Sequence, residues 1–215
     1  SSYYNIQMSS KLHTLSNDPY LYYIDNFLTD KECDFMIKHS KEHLKTAGVS
    51  FLDKDADKYK KGKYKGRTNS SYWMEHDKYP ESAKICEKIA AHLKCDSYLF
   101  ESFQVIQYNP NEHYDYHYDA YDIHETEKYK KYCGQRGNRI KTVLVYLNDV
   151  EEGGGTGFDS IPAYSETIEV KPQKGRMVVF YNLNDDGTIN KGSRHAGLPV
   201  IKGEKWAFNL WLRER

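Results

Sequence analysis

The sequence predicts an α+β fold in which a helical and mixed N-terminal part, residues 1–95, supports a C-terminal β-barrel or jelly roll, residues 96–215. Two observations favour this fold. After residue 95, short runs rich in β-branched and aromatic residues are separated by Gly, Asn, Asp and Pro, which is typical of several short strands. Before residue 95, apolar residues recur at helical spacing. Because the 215-residue chain has no internal repeat and no long linker, we expect one domain spanning 1–215.

Two helices and a short strand are predicted in the N-terminal part. The run LYYIDNFLTDKECDFMIK indicates a strand, a turn and a helix, with Thr29 as N-cap and Glu32 at the capping-box spacing. The run PESAKICEKIAAHLK places Ile85, Ile89 and Leu93 on one face of an amphipathic helix. Both helices belong to the supporting part of the predicted fold.

A lysine-rich run, DKDADKYKKGKYKGRTNSSYW, separates the two helices and contains few apolar residues. A mobile, solvated loop explains this composition, and so does a flap over a cleft. Composition alone does not choose between the two interpretations.

Five runs supply the predicted strands of the C-terminal part: YLFESFQVIQY, KTVLVYLNDV, ETIEVKP, GRMVVFYN and KWAFNLWLR. Their spacing, and the turn-forming residues between them, indicate a sandwich or a barrel. The candidate functional residues lie in or beside these runs.

Overall composition argues against several classes of protein. Basic and acidic residues balance to a formal net charge of zero, so no global field favours nucleic acid or an anionic membrane. No apolar run approaches the ~20 residues needed to span a bilayer, and the first residues lack the pattern of a signal peptide. The four cysteines show no CxxC spacing, which predicts buried thiols instead of a zinc finger or a disulfide framework.

A candidate metal site begins in the run NEHYDYHYDAYD, residues 111–122, where His117 and Asp119 are two residues apart. In a strand, residues i and i+2 point to the same face, although a solvated, aromatic-rich strand end explains the same pattern. His195, in GSRHAGLPV, is a candidate third ligand, with a satisfied structural histidine as the alternative. Two histidines and one carboxylate match the facial triad of non-haem Fe(II) oxygenases.

Lys205 follows His195 by ten residues, at the start of a predicted strand. A surface lysine is the ordinary interpretation. If the strand carries Lys205 inward, its ammonium needs an anionic partner, because an unpaired buried charge is costly. A dicarboxylate that chelates iron at one end and pairs with Lys205 at the other, such as 2-oxoglutarate, would be that partner.

Five segments, in order along most of the chain, match a family pattern: YIDNFLTDKEC, GRTNSSYW, YNPNEHYDYHYD, TVLVYLNDVEEGGGTGF and HAGLPVIKGEKW. Together they resemble the prolyl 4-hydroxylase family of 2-oxoglutarate/Fe(II) dioxygenases, particularly its collagen-type and plant or algal-virus-like members. The resemblance implies a double-stranded β-helix (jelly-roll) core with supporting N-terminal helices.

Site residues follow from this resemblance by position. It implies that the iron ligands are His117, Asp119 and His195. It implies that the distal carboxylate of 2-oxoglutarate is bound by Lys205, with Tyr108 and Thr142 as hydrogen-bonding helpers. It implies that the substrate proline's pocket is lined by Tyr114 and Trp211, although aromatic residues in strands are usually core residues.

The implied activity is hydroxylation of proline at C4 in proline-rich or collagen-like peptides, coupled to oxidative decarboxylation of 2-oxoglutarate to succinate and CO₂. Fe(II), 2-oxoglutarate and O₂ take part, and ascorbate rescues oxidised iron. We expect the segments 54–66 and 121–138 to close over an extended, polyproline-II-like peptide. We further expect a monomer with no nucleic-acid or membrane partner.

Two positions depart from the family pattern. Asn111 stands where the family usually has Gly, and Asn tolerates a left-handed backbone. Gly155 stands where the family has Glu, in a loop expected near the substrate.

Three other functions remain open at this point. The first is hydroxylation of lysyl, free amino-acid or other peptide substrates. The second is a non-catalytic jelly-roll module that binds a metal structurally. The third is nucleic-acid demethylation, which the balanced charge disfavours, as does lysine at 205 where those enzymes typically have arginine.

Overall fold

Strands predominate in the computed structural model, which describes residues 11–60 and 64–215. The strands are β1 (Leu12–Asn17), β2 (Tyr20–Ile24), β3 (Lys45–Thr46), β4 (Ser70–Met74), β5 (Phe103–Tyr108), β6 (Tyr114–His117), β7 (Arg139–Tyr146), β8 (Glu152–Gly153), β9 (Thr156–Phe158), β10 (Ile168–Val170), β11 (Met177–Tyr181), β12 (His195–Gly197), β13 (Val200–Lys202) and β14 (Lys205–Arg213). The helices are α1 (Asp30–Lys38), α2 (Ala56–Tyr59), α3 (Pro80–Leu93) and α4 (Thr126–Cys133). None of these helices is long and apolar enough to cross a membrane.

Two antiparallel sheets form the core. The major sheet has the order β1-β2-β11-β7-β14-β5-β4-β3, and the minor sheet has the order β10-β9-β12-β6. One face of the major sheet packs against the minor sheet, where Tyr146, Phe180 and Ala207 meet Phe158 and Val170 in one apolar cluster. This arrangement is the expected double-stranded β-helix, or jelly roll.

The opposite face of the major sheet packs against α1 and α3. Met36 of α1 and Ile89 of α3 are fully buried in a second cluster with Phe103, Val145 and Phe208 of the sheet. Side chains alternate between the two faces of a strand, so the central strands are buried on both sides and read as nearly continuous apolar runs. The predicted support of the β core by N-terminal helices is confirmed.

Helix α1 begins with the predicted capping box. The hydroxyl of Thr29 accepts a hydrogen bond from the backbone N–H of Glu32, and the carboxylate of Glu32 accepts one from the backbone N–H of Thr29. Caps of this kind stabilise a protein by about 1 kcal/mol. The cap fixes where the helix starts and hence which side chains, Cys33 and Met36, reach the core.

The first 95 residues contribute more strand than the sequence predicts. Besides the expected β2, they supply β1 and, at the far edge of the major sheet, β3 and β4. β4 pairs with β5, and Trp73 lies opposite Gln104. The N-terminal part therefore extends the same sheet that carries the C-terminal core.

Candidate active site

The three predicted metal ligands lie together at one end of the minor sheet. His117 ends β6, His195 begins β12, and the two residues are direct partners in the antiparallel pairing of these strands. Asp119 follows β6 by two residues. The Nε2 atoms of His117 and His195 each lie 3.2 Å from Oδ1 of Asp119, and the three atoms lie within 4.8 Å of one another.

Backbone contacts orient both imidazole rings. Nδ1 of His117 lies 2.6 Å from the carbonyl oxygen of Asp115, and Nδ1 of His195 lies 2.8 Å from that of Ser193. A carbonyl only accepts hydrogen bonds, so each Nδ1 carries a hydrogen and Nε2 of each ring faces Asp119. Burial, aided by the neighbouring His195, lowers the pKa of His117 to about 4, which keeps this ring neutral at pH 7.

The carboxylate of Asp119 uses its two oxygens differently. Oδ2 accepts hydrogen bonds from the hydroxyl of Thr142 at 2.7 Å and from Nε1 of Trp211 at 3.0 Å. Oδ1 faces the two histidines. Burial opposes ionisation, yet His195 and His117 hold the pKa of Asp119 well below its usual range. With Nε2 unprotonated on both rings, the two imidazoles and Oδ1 of Asp119 supply three donor atoms directed at one place, as a divalent cation requires.

Lys205 lies in the same cavity, which has a volume of about 600 Å³. The side chain is buried, and its Nζ lies 4.7 Å from the ring centre of Tyr108 and 5.6 Å from that of Tyr146. Within residues 11–60 and 64–215 it makes no hydrogen bond or ion pair. Burial lowers its pKa to about 7, although the charge of Glu169 acts in the opposite direction. A buried ammonium with no counter-ion is costly, so this site favours an anionic ligand.

Of the two expected helpers of Lys205, the structure brings only Tyr108 to it. Tyr108 lies directly opposite Lys205 in the pairing of β5 with β14 and lines the cavity. Thr142 does not line the cavity, because its hydroxyl lies behind Asp119 and donates to Oδ2 of that residue. In this structure Thr142 contacts Asp119 and not Lys205, and its expected role in binding 2-oxoglutarate stays a prediction.

Thr156 occupies the place that the sequence analysis gave to Thr142. It lines the cavity, and its hydroxyl lies 2.5 Å from the hydroxyl of Tyr146, whose ring faces the ammonium of Lys205. The signal was present in the run GGGTGF, in which this threonine matches the family pattern although Gly155 before it does not.

The mouth of the cavity is aromatic and cationic. The ring of Tyr114 stacks on the imidazole of His117, with 3.6 Å between ring centres, and the guanidinium of Arg67 lies 4.2 Å from the Tyr114 ring centre. The guanidinium of Arg139 lies 3.8 Å from the ring centre of Trp211. Trp73, which is 47% exposed, continues this row at 5.8 Å from Trp211.

Buried charges fix part of this wall. Glu101 accepts two hydrogen bonds from Arg139, at 2.6 and 2.9 Å, and one from Arg213 at 2.9 Å. Burial raises the pKa of Glu101, but the hydrogen bonds and charges of Arg139 and Arg213 outweigh this effect and lower the pKa below its usual value. The paired guanidinium of Arg139 is thereby held flat against Trp211.

Residues 50–51, just before the expected covering segment 54–66, contact the other expected covering segment, 121–138, beside the cavity. The hydroxyls of Ser50 and Tyr121 lie 2.6 Å apart. The hydroxyl of Tyr132, in α4, accepts from the backbone N–H of Phe51 and donates to its carbonyl, both at 2.9 Å. Tyr59 and Tyr64 line the cavity from one segment, and Tyr121 and Tyr132 line it from the other. Residues 61–63 of the lysine-rich segment 54–66 lie outside the described residues.

Residues 103–213 match the family model of the 2OG-Fe(II) oxygenase superfamily. The chain belongs to this superfamily. Among curated relatives, Prolyl 4-hydroxylase 13 of Arabidopsis thaliana is 34% identical over 94% of this chain and 74% of its own length. Prolyl 4-hydroxylase 2 of the same plant is 32% identical over 94% of this chain and 70% of its own length. The recognition of the prolyl 4-hydroxylase family from the sequence is confirmed.

Solved structures of superfamily members agree with the fold. The viral collagen prolyl hydroxylase of Paramecium Bursaria Chlorella virus-1, solved as a 2OG complex, superposes with a TM-score of 0.65 at 29% identity, covering 93% of this chain and 98% of that one. A Pseudomonas putida prolyl-4-hydroxylase gives a TM-score of 0.63 at 17% identity, covering 90% and 92% of the two chains, and supports the fold alone.

Membership in the superfamily makes the chain a 2-oxoglutarate- and Fe(II)-dependent dioxygenase. The residues of the cavity fit these cofactors. The His117, Asp119 and His195 set supplies the donor types that Fe(II) accepts while leaving other positions open. The buried, unpaired ammonium of Lys205 fits one carboxylate of 2-oxoglutarate.

Proposed function

We propose that this dioxygenase hydroxylates C4 of proline residues in proline-rich or collagen-like peptides and couples this to oxidative decarboxylation of 2-oxoglutarate to succinate and CO₂. One observation carries the proposal. The three-ligand set, a buried ammonium and an aromatic mouth share a single cavity. The names of the similar proteins, which are prolyl hydroxylases, supply the substrate class.

In this proposal His117, Asp119 and His195 hold Fe(II). Bound there, the metal would activate O₂ for the coupled reaction, in which one oxygen atom ends in succinate as CO₂ leaves 2-oxoglutarate and the other ends on the substrate. The contribution of the chain is geometric: the carbonyls of Asp115 and Ser193 fix which nitrogen of each histidine faces the metal. Ascorbate, which is typical of this family, keeps the metal reduced.

Lys205 would bind the distal carboxylate of 2-oxoglutarate, and Tyr108 and Thr156 would donate hydrogen bonds beside it. The ligand supplies the negative charge that Lys205 lacks in the described protein. Because the ammonium is buried under two tyrosine rings, its attraction for a carboxylate is much less screened than at the surface.

The aromatic mouth would bind the peptide. Proline-rich peptides in the polyproline-II conformation dock in aromatic-lined grooves because they lose little conformational entropy on binding. Tyr114 and Trp211 lie nearest the ligand set and would contact the reacting proline. Trp73 extends the groove away from the metal with an exposed ring suited to a neighbouring residue of the peptide.

Succinate release and peptide mass test this proposal. We expect succinate formation that depends on a Pro-Pro-Gly-type or poly(L-proline) peptide, with Fe(II) and ascorbate present, and a peptide product heavier by one oxygen at proline C4. His117→Ala should abolish both. His113→Ala is the matched control, since His113 forms a second His-x-Asp pair with Asp115 outside the ligand set and should leave turnover intact.

The same assay with different peptides distinguishes the remaining alternative substrates. Hydroxylation of a lysine-containing peptide instead would replace the proposed substrate class and keep the oxygenase. Decarboxylation of 2-oxoglutarate that no peptide stimulates would remove proline-rich peptides as substrates. The expectation of a monomer remains a prediction, to be checked by sedimentation.

A further inference from the structure

A buried asparagine lies two hydrogen bonds away from the proposed metal site. Asn182 directly follows β11 and has no exposed surface. Its Nδ2 donates to the hydroxyl of Thr142 at 2.9 Å, and that hydroxyl donates to Oδ2 of Asp119 at 2.7 Å. Asn182, Thr142 and Asp119 thus form one chain of hydrogen bonds that ends at a proposed metal ligand.

The direction of this chain follows from the number of hydrogens. The hydroxyl of Thr142 has one hydrogen, and the ionised carboxylate of Asp119 only accepts hydrogen bonds. That hydrogen must therefore point to Asp119, and the partner of Thr142 on its other side must be a donor. The amide nitrogen of Asn182 is such a donor, whereas an acceptor in its place would draw the threonine hydrogen away.

This orientation leaves the other end of the amide without a partner. Oδ1 of Asn182 is buried and has no hydrogen-bond partner in the described part of the chain. A buried, unsatisfied carbonyl destabilises a fold. Fold stability alone therefore does not explain an asparagine here, because an apolar residue of similar size avoids this penalty.

We propose that Asn182 is a positioning residue for the metal-binding carboxylate. By donating to Thr142, it commits the threonine hydrogen to Oδ2 of Asp119, which also accepts from Nε1 of Trp211. Two hydrogen bonds then hold Oδ2, and Oδ1 alone remains for the metal. The inference rests on the proposed function in one respect, namely that Asp119 binds the metal.

Mn(II) binding, measured by calorimetry without O₂ or 2-oxoglutarate, tests this role apart from turnover. Partners of metal ligands typically contribute about 10–100-fold in affinity. We expect Thr142→Val to weaken Mn(II) binding by about this range and Thr142→Ser, which keeps the hydroxyl, to preserve it. Asn182→Leu should weaken binding by about tenfold, at the lower end of that range, without lowering the melting temperature of the metal-free protein.

A double variant separates positioning from packing. If Asn182 acts through the threonine hydroxyl, Asn182→Leu causes no further loss in the Thr142→Val background. Asn184→Ala is the matched control, because the side chain of Asn184 lies in the same loop and donates to Thr188 and Ile189. Its Mn(II) affinity should equal that of the wild type.

Two results would overturn the inference: an unchanged Mn(II) affinity in Asn182→Leu, or an equal loss with and without the hydroxyl of Thr142. Failure of the proposed function looks different. In that case the wild type binds no Mn(II), or His117→Ala binds it as tightly as the wild type does.

Discussion

At the scale of single residues, the charge of Lys205 governs how this protein should respond to pH. Its ammonium is buried with no ion-pair partner among the described residues, and burial lowers its pKa to about 7, against about 10.4 in an unfolded chain. Between these values the unfolded chain binds the extra proton, so this residue makes the ligand-free fold more stable as pH rises from about 7 to 10. Below pH 7 Lys205 is protonated in both the folded and the unfolded state, so it no longer makes the unfolding free energy depend on pH.

Binding of 2-oxoglutarate should show the opposite trend. The ligand needs the charged ammonium, so above pH 7 binding requires uptake of a proton, and affinity should fall by up to about tenfold per pH unit. Calorimetry with Mn(II) present, at pH 6.5, 7.5 and 8.5 in buffers of different ionisation enthalpy, measures both the affinity and the proton uptake.

Substitution isolates the contribution of this one side chain. Lys205→Met should weaken 2-oxoglutarate binding by about 30-fold or more, as for other buried charge pairs, and remove the pH dependence. Lys202→Ala, which alters an exposed lysine on β13, is the control and should bind normally. A wild-type affinity that stays constant from pH 6.5 to 8.5 would contradict the assignment.

At the scale of elements, the two departures from the family pattern have local explanations. Asn111 has φ +71°, a left-handed conformation that Asn adopts more readily than most residues. At Gly155, an added Cβ would collide with the carboxylate of Glu169, whose side chain reaches that position from β10. The carboxylate that the family pattern places at 155 thus has a counterpart that reaches the same surface from the adjacent strand.

The turn at β8 depends on glycine for a steric reason. Gly153 has φ +77°, and an added Cβ would lie 2.5 Å from the carbonyl oxygen of Pro199. Gly187 has φ +84° with open space around the same position. Both Gly→Ala changes incur a left-handed strain of about 1–2 kcal/mol. Gly153→Ala should destabilise the protein by a further ~1–3 kcal/mol, the range for overpacking.

Guanidinium chloride unfolding of these two variants measures the difference. Because both share the backbone strain, the gap between their unfolding free energies reports the collision with Pro199. Equal losses of unfolding free energy in the two variants would show that the backbone at Pro199 shifts to accommodate the added methyl group. This matters for the site, since an added Cβ at the next residue, Gly154, would lie 3.4 Å from Cδ of Lys205.

At the scale of the whole molecule, the proposed metal joins two strands of the minor sheet. His117 ends β6, which is an edge strand, and His195 lies on its neighbour β12. Binding to the native state alone should stabilise the fold by about 2.7 kcal/mol at a metal concentration 100 times Kd. A melting curve with and without Mn(II), and again after addition of a chelator, tests this shift. His117→Ala should show none.

Much of this architecture could be predicted from the sequence, because the strands of the core are apolar runs bounded by turn residues. The ligand set was predictable for a similar reason: His117, Asp119 and His195 combine unusual residue types with a characteristic spacing. β1 and β3 could not be predicted, since β1 has little apolar alternation and β3 contains two exposed residues.

The roles of two threonines could not be assigned from the sequence either. The neighbours of a side chain in a sheet depend on strand register. Thr142 lies beside Trp211 because the two residues are direct partners in the pairing of β7 with β14. Thr156 reaches the cavity through the minor sheet, on the far side of the core. Asn182 lies outside every regular strand, and its importance depends on contacts with residues distant in the chain.

The last strand, β14, divides its side chains between chemistry and support. Lys205, Asn209 and Trp211 line the cavity. The side chains on the opposite face of the strand pack against the helical layer: Trp206, Phe208, Leu210 and Leu212. Substitution at a cavity-facing position such as Asn209 therefore alters the lining of the cavity without removing a side chain from the helix-facing core. Laboratory libraries confined to the cavity-facing positions of this strand should retain a high proportion of folded members, which makes it a favourable starting point for engineering new hydroxylases.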